Sequence, residues 1–398
     1  MTRRAIEGGQ PLLIRDATLV AAPGAEPRPR TSLFVVHGAI AAIGEAAEAA
    51  ARAGEVPDGR MVDAAGGTLV AGFWNCHVHL TQPGWRGAVT APVERLQDAL
   101  DDLANRRGFT GLVDLGSNPF DTREVRRRIG TGELRGPEIA MAGLGLYPPR
   151  GLPFYSRDEM GRLGRAITPQ PRTRAAARLA VAANRRLGAE VTKLFTGSYV
   201  APDTVKPMSR MVAFAAAQRS RAFGMPVFAH PSDRAGTLVA LDAGVDVLAH
   251  VPDETQGTHG LLREAATRGI WMTPTLDMFA QTVTRDRAYL DPIHSSLRLF
   301  RDHGGRLLFG TDVGYLPDTD MTGELEALAE CGLGVVDVLT MLTTAPARAF
   351  GSRFGPATGE VAEGGVADLV LLDRLETVTD LASVRMTIRA GRVTWRST

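Results

Sequence analysis

Eight short apolar runs, spaced along most of the chain, restrict the fold of this sequence more than any other feature. They are rich in Val, Ile and Leu and lack polar alternation, as is typical of parallel strands that are covered on both faces. The runs cover residues 67–74, 111–115, 139–146, 191–195, 226–229, 245–249, 270–275 and 306–310.

Helical patterns lie between these runs, at residues 93–105, 172–187, 209–223, 236–243 and 260–268. Alternating strands and helices indicate βαβ units that build a parallel sheet. Eight such units predict an α/β protein whose centre is a closed (β/α)8 barrel of the TIM type.

Both ends of the chain have strand patterns of a different kind. They occur at residues 11–15, 32–36 and 39–43, and again at 367–372 and 384–393. Neither end is long enough to form a core alone, so we expect them to meet. The predicted domains are a small flanking β-sandwich from residues 1–66 and 357–398 and a metal-dependent barrel from residues 67–356.

Charge and hydropathy exclude several classes of partner. The chain has 45 basic and 44 acidic residues and a formal charge of +1, so binding of nucleic acid has no electrostatic support. No apolar run approaches the roughly 18 residues that span a bilayer. Residues 1–9 lack the apolar core of a secretory signal, so we expect a cytoplasmic protein that acts on a small molecule. A homo-oligomer remains open.

The first chemical signal is the pair His77 and His79, at the end of the first predicted barrel strand. Side chains alternate along a strand, so both imidazoles point to one side. Two neutral imidazoles on one face can chelate a divalent metal ion.

Three more polar residues follow apolar runs directly. His230 ends the fifth run, His250 ends the sixth, and Asp312 follows the eighth. Functional residues of such barrels lie at the carboxyl ends of the strands, so all of these side chains are expected on the same rim. Together with the histidine pair they predict a metal site.

Lys193 lies inside the fourth apolar run and is one of only two lysines, the other being Lys206. A lysine inside a strand is costly unless it is paired or neutralised. One interpretation is a lysine at a strand end that forms a salt bridge. The other, which we favour, is a lysine carboxylated by CO₂, whose carbamate could bridge two metal ions.

On these residues the chain resembles the amidohydrolase superfamily over nearly its full length. The matching pieces are residues 75–79, Lys193, His230, His250 and residues 310–312, followed by residues 363–370, which look like the return into the β domain. The spacing is most similar to that of the binuclear amidases and dipeptidases.

The resemblance implies two divalent metal ions, with zinc as the first choice, and a carboxylated Lys193. One ion would be held by His77, His79 and Asp312, the other by His230 and His250, and Lys193 would bridge them. Manganese, iron and cobalt accept the same ligands.

One position departs from the family pattern. Many members have Asp two residues before the first His, and here that residue is Asn75. Asn at this position resembles the pattern of the deaminase branch, whose members often use one metal ion. That branch, however, usually places Glu where this chain has Asp233, and it lacks the lysine. We therefore give Lys193 more weight than Asn75.

The predicted activity is hydrolysis of an amide-like carbon–nitrogen bond by a hydroxide that bridges the metals, with Asp312 as general acid and base. A mononuclear deaminase, or a lactone or carbamate hydrolase, could use the same barrel. A non-enzymatic alternative is a catalytically silent scaffold of the family.

Specificity is expected from the loops that follow the strands. The long segment 145–172 predicts a lid or binding loop. The candidate substrate-binding residues in these loops are Tyr147, Arg150, Tyr199, Asp253, His259 and Tyr315.

Overall fold

The computed structural model of the chain describes residues 10–53, 56–57, 60–157, 160–316, 318–351, 354 and 358–397. Residues 1–9, on which the expected localisation depends, and residue 357, at a predicted domain boundary, lie outside the described residues. Within the described ranges, no helix combines the length and apolarity needed to cross a membrane.

The strands, in chain order, are β1 (Leu12–Leu19), β2 (Arg28–Val36), β3 (Ala39–Ile43), β4 (Met61–Asp63), β5 (Thr68–Ala71), β6 (Phe73–Val78), β7 (Phe109–Asp114), β8 (Glu138–Met141), β9 (Thr192–Phe195), β10 (Gly197–Ala201), β11 (Thr204–Pro207), β12 (Val227–His230), β13 (Val247–Leu248), β14 (Trp271–Met272), β15 (Arg306–Leu307), β16 (Leu369–Leu372), β17 (Val384–Arg389) and β18 (Arg392–Arg396).

The α-helices are α1 (Glu45–Ala53), α2 (Val93–Leu103), α3 (Pro119–Gly130), α4 (Phe154–Arg157), α5 (Gly161–Ile167), α6 (Arg174–Arg186), α7 (Arg210–Ala222), α8 (Arg234–Ala243), α9 (His259–Thr267), α10 (Leu276–Thr282), α11 (Arg287–Asp302), α12 (Thr322–Glu330), α13 (Val335–Leu342) and α14 (Thr344–Phe350).

Strands from both chain ends lie in one mixed sheet with the order β18-β17-β16-β5-β1-β2-β3, and β4 also pairs with β1. β5 connects the two chain ends because it pairs with a strand from each: it is parallel to β1 and antiparallel to β16. Hydrogen bonds join these strands edge to edge in one order, and the predicted arrangement as a sandwich stays a prediction. The division into domains at residues 66 and 357 stays a prediction.

Two further sheets are parallel. β6, β7 and β8 form one, and β15, β14, β13, β12 and β9 form the other in that order. Their strands are buried almost throughout, for example every residue of β6 and β7, which explains the continuous apolar runs in the sequence. The seven later runs each overlap one strand.

The first run divides into two strands at Gly72, where the chain passes from the mixed sheet into the parallel sheet of β6. A Cβ atom at this position would lie 2.3 Å from Oγ1 of Thr110 on β7. Because only glycine fits such a close approach, β5 and β6 can follow one another directly and still belong to different sheets.

The two parallel sheets are hydrogen-bonded to each other at both edges. At one edge, the amide of Leu146 donates to the carbonyl of Lys193 at 2.9 Å. At the other edge, the amide of Asp312 donates to the carbonyl of His77 at 2.9 Å, and the amide of His79 donates to the carbonyl of Val313 at 2.7 Å. Neighbouring strands are parallel, so their carboxyl ends meet on one side.

The five predicted helices correspond to α2, α6, α7, α8 and α9. The sequence patterns did not predict α3 or the helices α10 to α14, nor the hairpin of β10 and β11. α3 illustrates the reason, because it contains few apolar residues and its start is marked by a cap: Asn118 accepts the amide of Phe120. The predicted lid at 145–172 contains α4 and α5.

Candidate metal centre

His77, His79 and Asp312 converge at the carboxyl end of β6. The Nε2 atom of His77 lies 3.2 Å from Oδ1 of Asp312, and Nε2 of His79 lies 3.0 Å from the same oxygen. Donor atoms that share a metal ion at about 2.0–2.1 Å are themselves about 3 Å apart. Two imidazole nitrogens and a carboxylate oxygen at these separations therefore fit a divalent ion.

The outer ring nitrogens of two histidines have partners that fix their tautomers. Nδ1 of His79 lies 2.8 Å from the carbonyl oxygen of Gly116, which can only accept, so this nitrogen carries the proton. Nδ1 of His250 lies 2.7 Å from Oγ1 of Thr275, whose own proton goes to the carbonyl of Pro274. In the neutral form of both rings Nε2 therefore keeps its lone pair, as a metal ligand requires.

The charges in this group fit a metal site. Burial opposes ionisation of Asp312, but His77 and His79 hold the pKa of its carboxyl well below the usual range. Burial and the nearby Lys193 lower the pKa of His77 to about 3. Burial is also the largest single effect on the pKa of His79, but the hydrogen bond with Asp312 and the negative charge of that carboxylate together outweigh it and raise the pKa. A metal ion would take the place of that shared proton.

Lys193 lies on β9 and is only 1% exposed. Its Nζ atom is 3.5 Å from Nε2 of His77 and lies 5.3 Å from the centre of the Phe195 ring. Burial lowers the pKa of this amine to about 7, with Asp312 opposing the shift. A large fraction of the amine is then unprotonated near neutral pH, and that form is the one that can react with CO₂.

His230 and His250 lie beside this group. Their ring centres are 4.5 Å apart, the ring of His250 is 4.5 Å from that of His77, and His230 stacks on Phe195 at 4.9 Å. Burial lowers the pKa of both histidines well below the usual range, so both are neutral imidazoles at neutral pH. All six predicted ligands thus form one connected set, and their role as ligands stays a prediction.

Asn75 is built into the support of this site. Its Nδ2 donates to Oγ1 of Thr311 at 2.8 Å, and its Oδ1 accepts the amides of His77 and Thr311 at 3.2 and 3.3 Å. These three hydrogen bonds hold the backbone amides of His77 and Thr311 and the hydroxyl of Thr311, which lie at or beside the candidate ligands His77 and Asp312. Asn75 therefore joins the two segments of the chain that carry the candidate ligands His77 and Asp312.

Asp233, at the position where the deaminase branch usually has Glu, has a structural role. Its carboxylate accepts the amide of Gly236 at 2.7 Å and caps the first turn of α8. This cap accounts for an acidic residue at the position without a catalytic role.

The predicted specificity residues divide into a set with specific side-chain contacts and a set on the surface. Tyr147 stacks on Phe195 at 4.1 Å, and Asp253 accepts the hydroxyl of Tyr199 at 2.8 Å. Tyr315 is 37% exposed and its ring lies 5.0 Å from Tyr155. In contrast, the structure places Arg150 and His259 on the surface, in an exposed turn and at the start of α9.

Sequence reasoning missed Tyr155 and Tyr289. Tyr155 lies on α4, and burial together with Tyr315, Tyr147, Asp312 and Asp253 raises the pKa of its hydroxyl. Tyr289 lies on α11 and donates to Asp253 at 3.1 Å. The chain has five tyrosines, and each of them takes part in one of the contacts described here with Phe195, with Asp253 or between Tyr155 and Tyr315. Their small number was the signal that could have found the missing two.

The sequence profile of the amidohydrolase family matches residues 68–394. No curated protein matches the sequence significantly. Among solved structures, a Xaa-Pro dipeptidase with bound methionine is similar with a TM-score of 0.76 and 20% identity, over 98% of this chain and 100% of that one.

Two further structures are similar to a comparable degree. A putative prolidase from Bifidobacterium longum has a TM-score of 0.75 and 24% identity, over 97% of this chain and 95% of its own. Phenylurea hydrolase B has a TM-score of 0.75 and 22% identity, over 96% of both chains. At these identities the likeness shows a shared fold.

Proposed function

The chain belongs to the amidohydrolase family and is a hydrolase acting on carbon–nitrogen bonds, and from this premise we propose that it cleaves an amide-like bond of a small molecule at a centre of two divalent metal ions. The convergence of His77, His79 and Asp312 carries the proposal. Dipeptidase, prolidase and phenylurea hydrolase are names of the similar structures, and they support a carbon–nitrogen bond as the target.

The scaffold of this site is a closed (β/α)8 barrel. The hydrogen bonds from Leu146 to Lys193 and from Asp312 to His77 support closure, because each joins one parallel sheet to the other. In such a barrel the carboxyl ends of the strands form the site, which is where the six candidate ligands lie.

The candidate ligands divide between two ions. His77, His79 and Asp312 would hold one, His230 and His250 would hold the other, and a carboxylated Lys193 would link them. Zinc suits this set of imidazole and carboxylate donors. Two such ions, when bound, lower the pKa of a water molecule and polarise a carbonyl group.

Asp312 is the group that moves the proton. Its carboxylate is ionised, buried and directed at His77 and His79, so it can accept a proton from the attacking water and return it to the leaving nitrogen. His77, His230 and His250 have lowered pKa values and are neutral at neutral pH, and the ionised carboxylate of Asp312 is the base.

The test compares Asp312→Asn and Asp312→Ala with the parent enzyme on N-acyl amino acids, dipeptides, aryl amides and lactones. General acid–base catalysis contributes about 10²–10⁴-fold, so we expect kcat to fall by about a thousandfold. Circular dichroism should be unchanged. Asp233→Asn is the matched control, since Asn keeps an oxygen that accepts the amide of Gly236 and the change leaves the site intact.

Retained turnover in both Asp312 variants would overturn the assignment. Release of ammonia from an aminated heterocycle, with no hydrolysis on the panel, would favour the deaminase. A preference for lactones would favour an esterase-like reaction at the same site.

A further inference from the structure

Glu324 is a buried acid that no step described above uses. It lies in the first turn of α12 and is 1% exposed. No Lys or Arg of the described residues pairs with it. Its Oε2 accepts the amide of Asp277 at 2.8 Å, and the carboxyl group also faces the amides of Leu276 and Thr275. Among the described residues Oε1 has no hydrogen-bond partner, so the bond from the amide of Asp277 to Oε2 is the contact by which Glu324 holds the start of α10.

Thr275 has a backbone conformation that needs such support. Its φ and ψ angles are 51° and 50°, the left-handed region that a β-branched residue rarely adopts. The amide that Glu324 accepts is that of Asp277, two residues after Thr275. The contact thus stabilises a strained turn at the carboxyl end of a barrel strand.

The turn at Thr275 directs a hydroxyl toward a candidate ligand. Because Oγ1 donates to the carbonyl of Pro274, it accepts the proton on Nδ1 of His250 at 2.7 Å. This bond sets both the tautomer and the direction of the ring, and hence where the lone pair on Nε2 points. A relaxed Thr275 would release the ring.

We infer that Glu324 is a positioning residue, which acts through Thr275 to orient His250 for the metal ion shared with His230. The inference rests on the proposed binuclear function, since it assumes that His250 is a ligand. Outer contacts of this kind change metal affinity by about 10–100-fold.

The experiment measures zinc per chain in the full-length holoenzyme after equilibration with increasing chelator. We expect Glu324→Ala to lose one zinc at chelator concentrations at least tenfold lower than the parent. Glu324→Gln keeps an oxygen that accepts the amide of Asp277, so its zinc retention should lie within threefold of the parent.

A second pair of variants separates orientation from stability. Thr275→Gly relieves the backbone, because glycine adopts positive φ readily, but it removes the hydroxyl. It should therefore lose zinc as Glu324→Ala does, although the backbone strain at this position is relieved. Thr275→Ser keeps the hydroxyl and should retain zinc.

Asp246→Ala is the matched control. Asp246 also accepts a backbone amide, that of Val227 at 2.8 Å, but at the amino ends of the strands. The variant should lower the thermal midpoint and leave zinc retention unchanged. If Glu324→Ala and Thr275→Gly both retain zinc within threefold of the parent, the inference is overturned, and Glu324 has a structural role alone.

His250→Ala separates this result from a failure of the proposed function. If His250→Ala loses one zinc and the Glu324 and Thr275 variants do not, only the positioning role is wrong. If His250→Ala retains all the zinc of the parent, then the binuclear assignment is wrong and the inference is overturned with it.

Discussion

Asn75 and Thr311, which are 236 positions apart in the sequence, are joined by a buried hydrogen bond of 2.8 Å from Nδ2 to Oγ1. The bond links β6, which carries His77, to the segment that carries Asp312. The two ligand-bearing segments therefore keep a fixed spacing. The residue that departs from the family pattern is a structural support of the site.

We predict that Asn75→Ala lowers kcat/KM at least tenfold and destabilises the fold by about 1–3 kcal/mol, because it removes the acceptor of two buried amides and the donor to the Thr311 hydroxyl. Asn75→Asp should recover part of both losses, since one oxygen accepts the amides and the hydroxyl can turn to donate to the other. Urea unfolding and steady-state kinetics measure the two effects. Equal activity of the Ala variant and the parent would contradict this role.

For Lys193, we predict that replacement by Ala removes bound metal and with it at least a hundredfold of activity, because the bridging group is gone. Lys206→Ala is the matched control, as it alters the only other lysine of the chain, on β11. Elemental analysis gives the metal content of each variant.

A short carboxylate such as propionate, added to Lys193→Ala, should restore part of the activity if a carbamate normally fills this space. Removal of CO₂ from the parent during reconstitution should lower its metal content in the same way. A full complement of metal in Lys193→Ala would show that the lysine is no bridge.

The pattern of strands was the part of the fold that the sequence could predict, because runs buried on both faces need continuous apolar residues. The same logic placed the candidate ligands, since the histidines and Asp312 lie at or shortly after the ends of runs and Lys193 lies inside one. The division at Gly72 was not predictable in this way. It depends on how closely the backbone approaches Thr110, a contact between distant residues that no local pattern encodes.

Asp253 and its two tyrosines lead to a prediction about substrate binding. The carboxyl group of Asp253 accepts hydrogen bonds from the hydroxyls of Tyr199 and Tyr289. Asp253 follows His250 by three residues and is not one of the candidate ligands. Asp253→Asn should raise KM by about tenfold, or about 1.4 kcal/mol, with a smaller change in kcat, as expected for loss of binding alone. Glu254→Gln, at the exposed neighbouring position, is the control.

Burial raises the pKa of Asp253 to about 6, with the two tyrosine hydroxyls opposing the shift. The carboxylate is therefore ionised above pH 6 and protonated below it. KM of the parent should rise as the pH falls through 6, and this dependence should be absent in Asp253→Asn. A KM that is flat with pH in the parent would count against a binding role.

Glu324 and Thr275 show the limit of sequence reasoning at the site itself. Neither follows a periodic pattern or a motif, and the two are 49 positions apart in the printed sequence. Their importance comes from a hydrogen-bonded turn whose geometry exists only after α10 and α12 have packed. Residues that support ligands are, for this reason, harder to predict than the ligands.

Glu324 also leads to a prediction about stability and pH. Burial raises the pKa of its carboxyl to about 8, against 4.5 for an unperturbed Glu, although three backbone amides oppose the shift. Between these values the folded chain holds a proton that the unfolded chain has released. The free energy of unfolding therefore falls as the pH rises, by up to about 1.4 kcal/mol per pH unit.

Glu324→Gln has no such proton to lose, and its amide resembles the protonated acid in shape. The two proteins are compared at the same zinc content. From pH 5 to pH 8 the urea midpoint of the parent should fall steadily relative to that of Glu324→Gln. Titrations elsewhere cancel in that difference because they are common to both proteins. A difference that stays constant over this range would mean that Glu324 is ionised in the folded state at pH 5, and the buried carboxyl would then need a cationic partner.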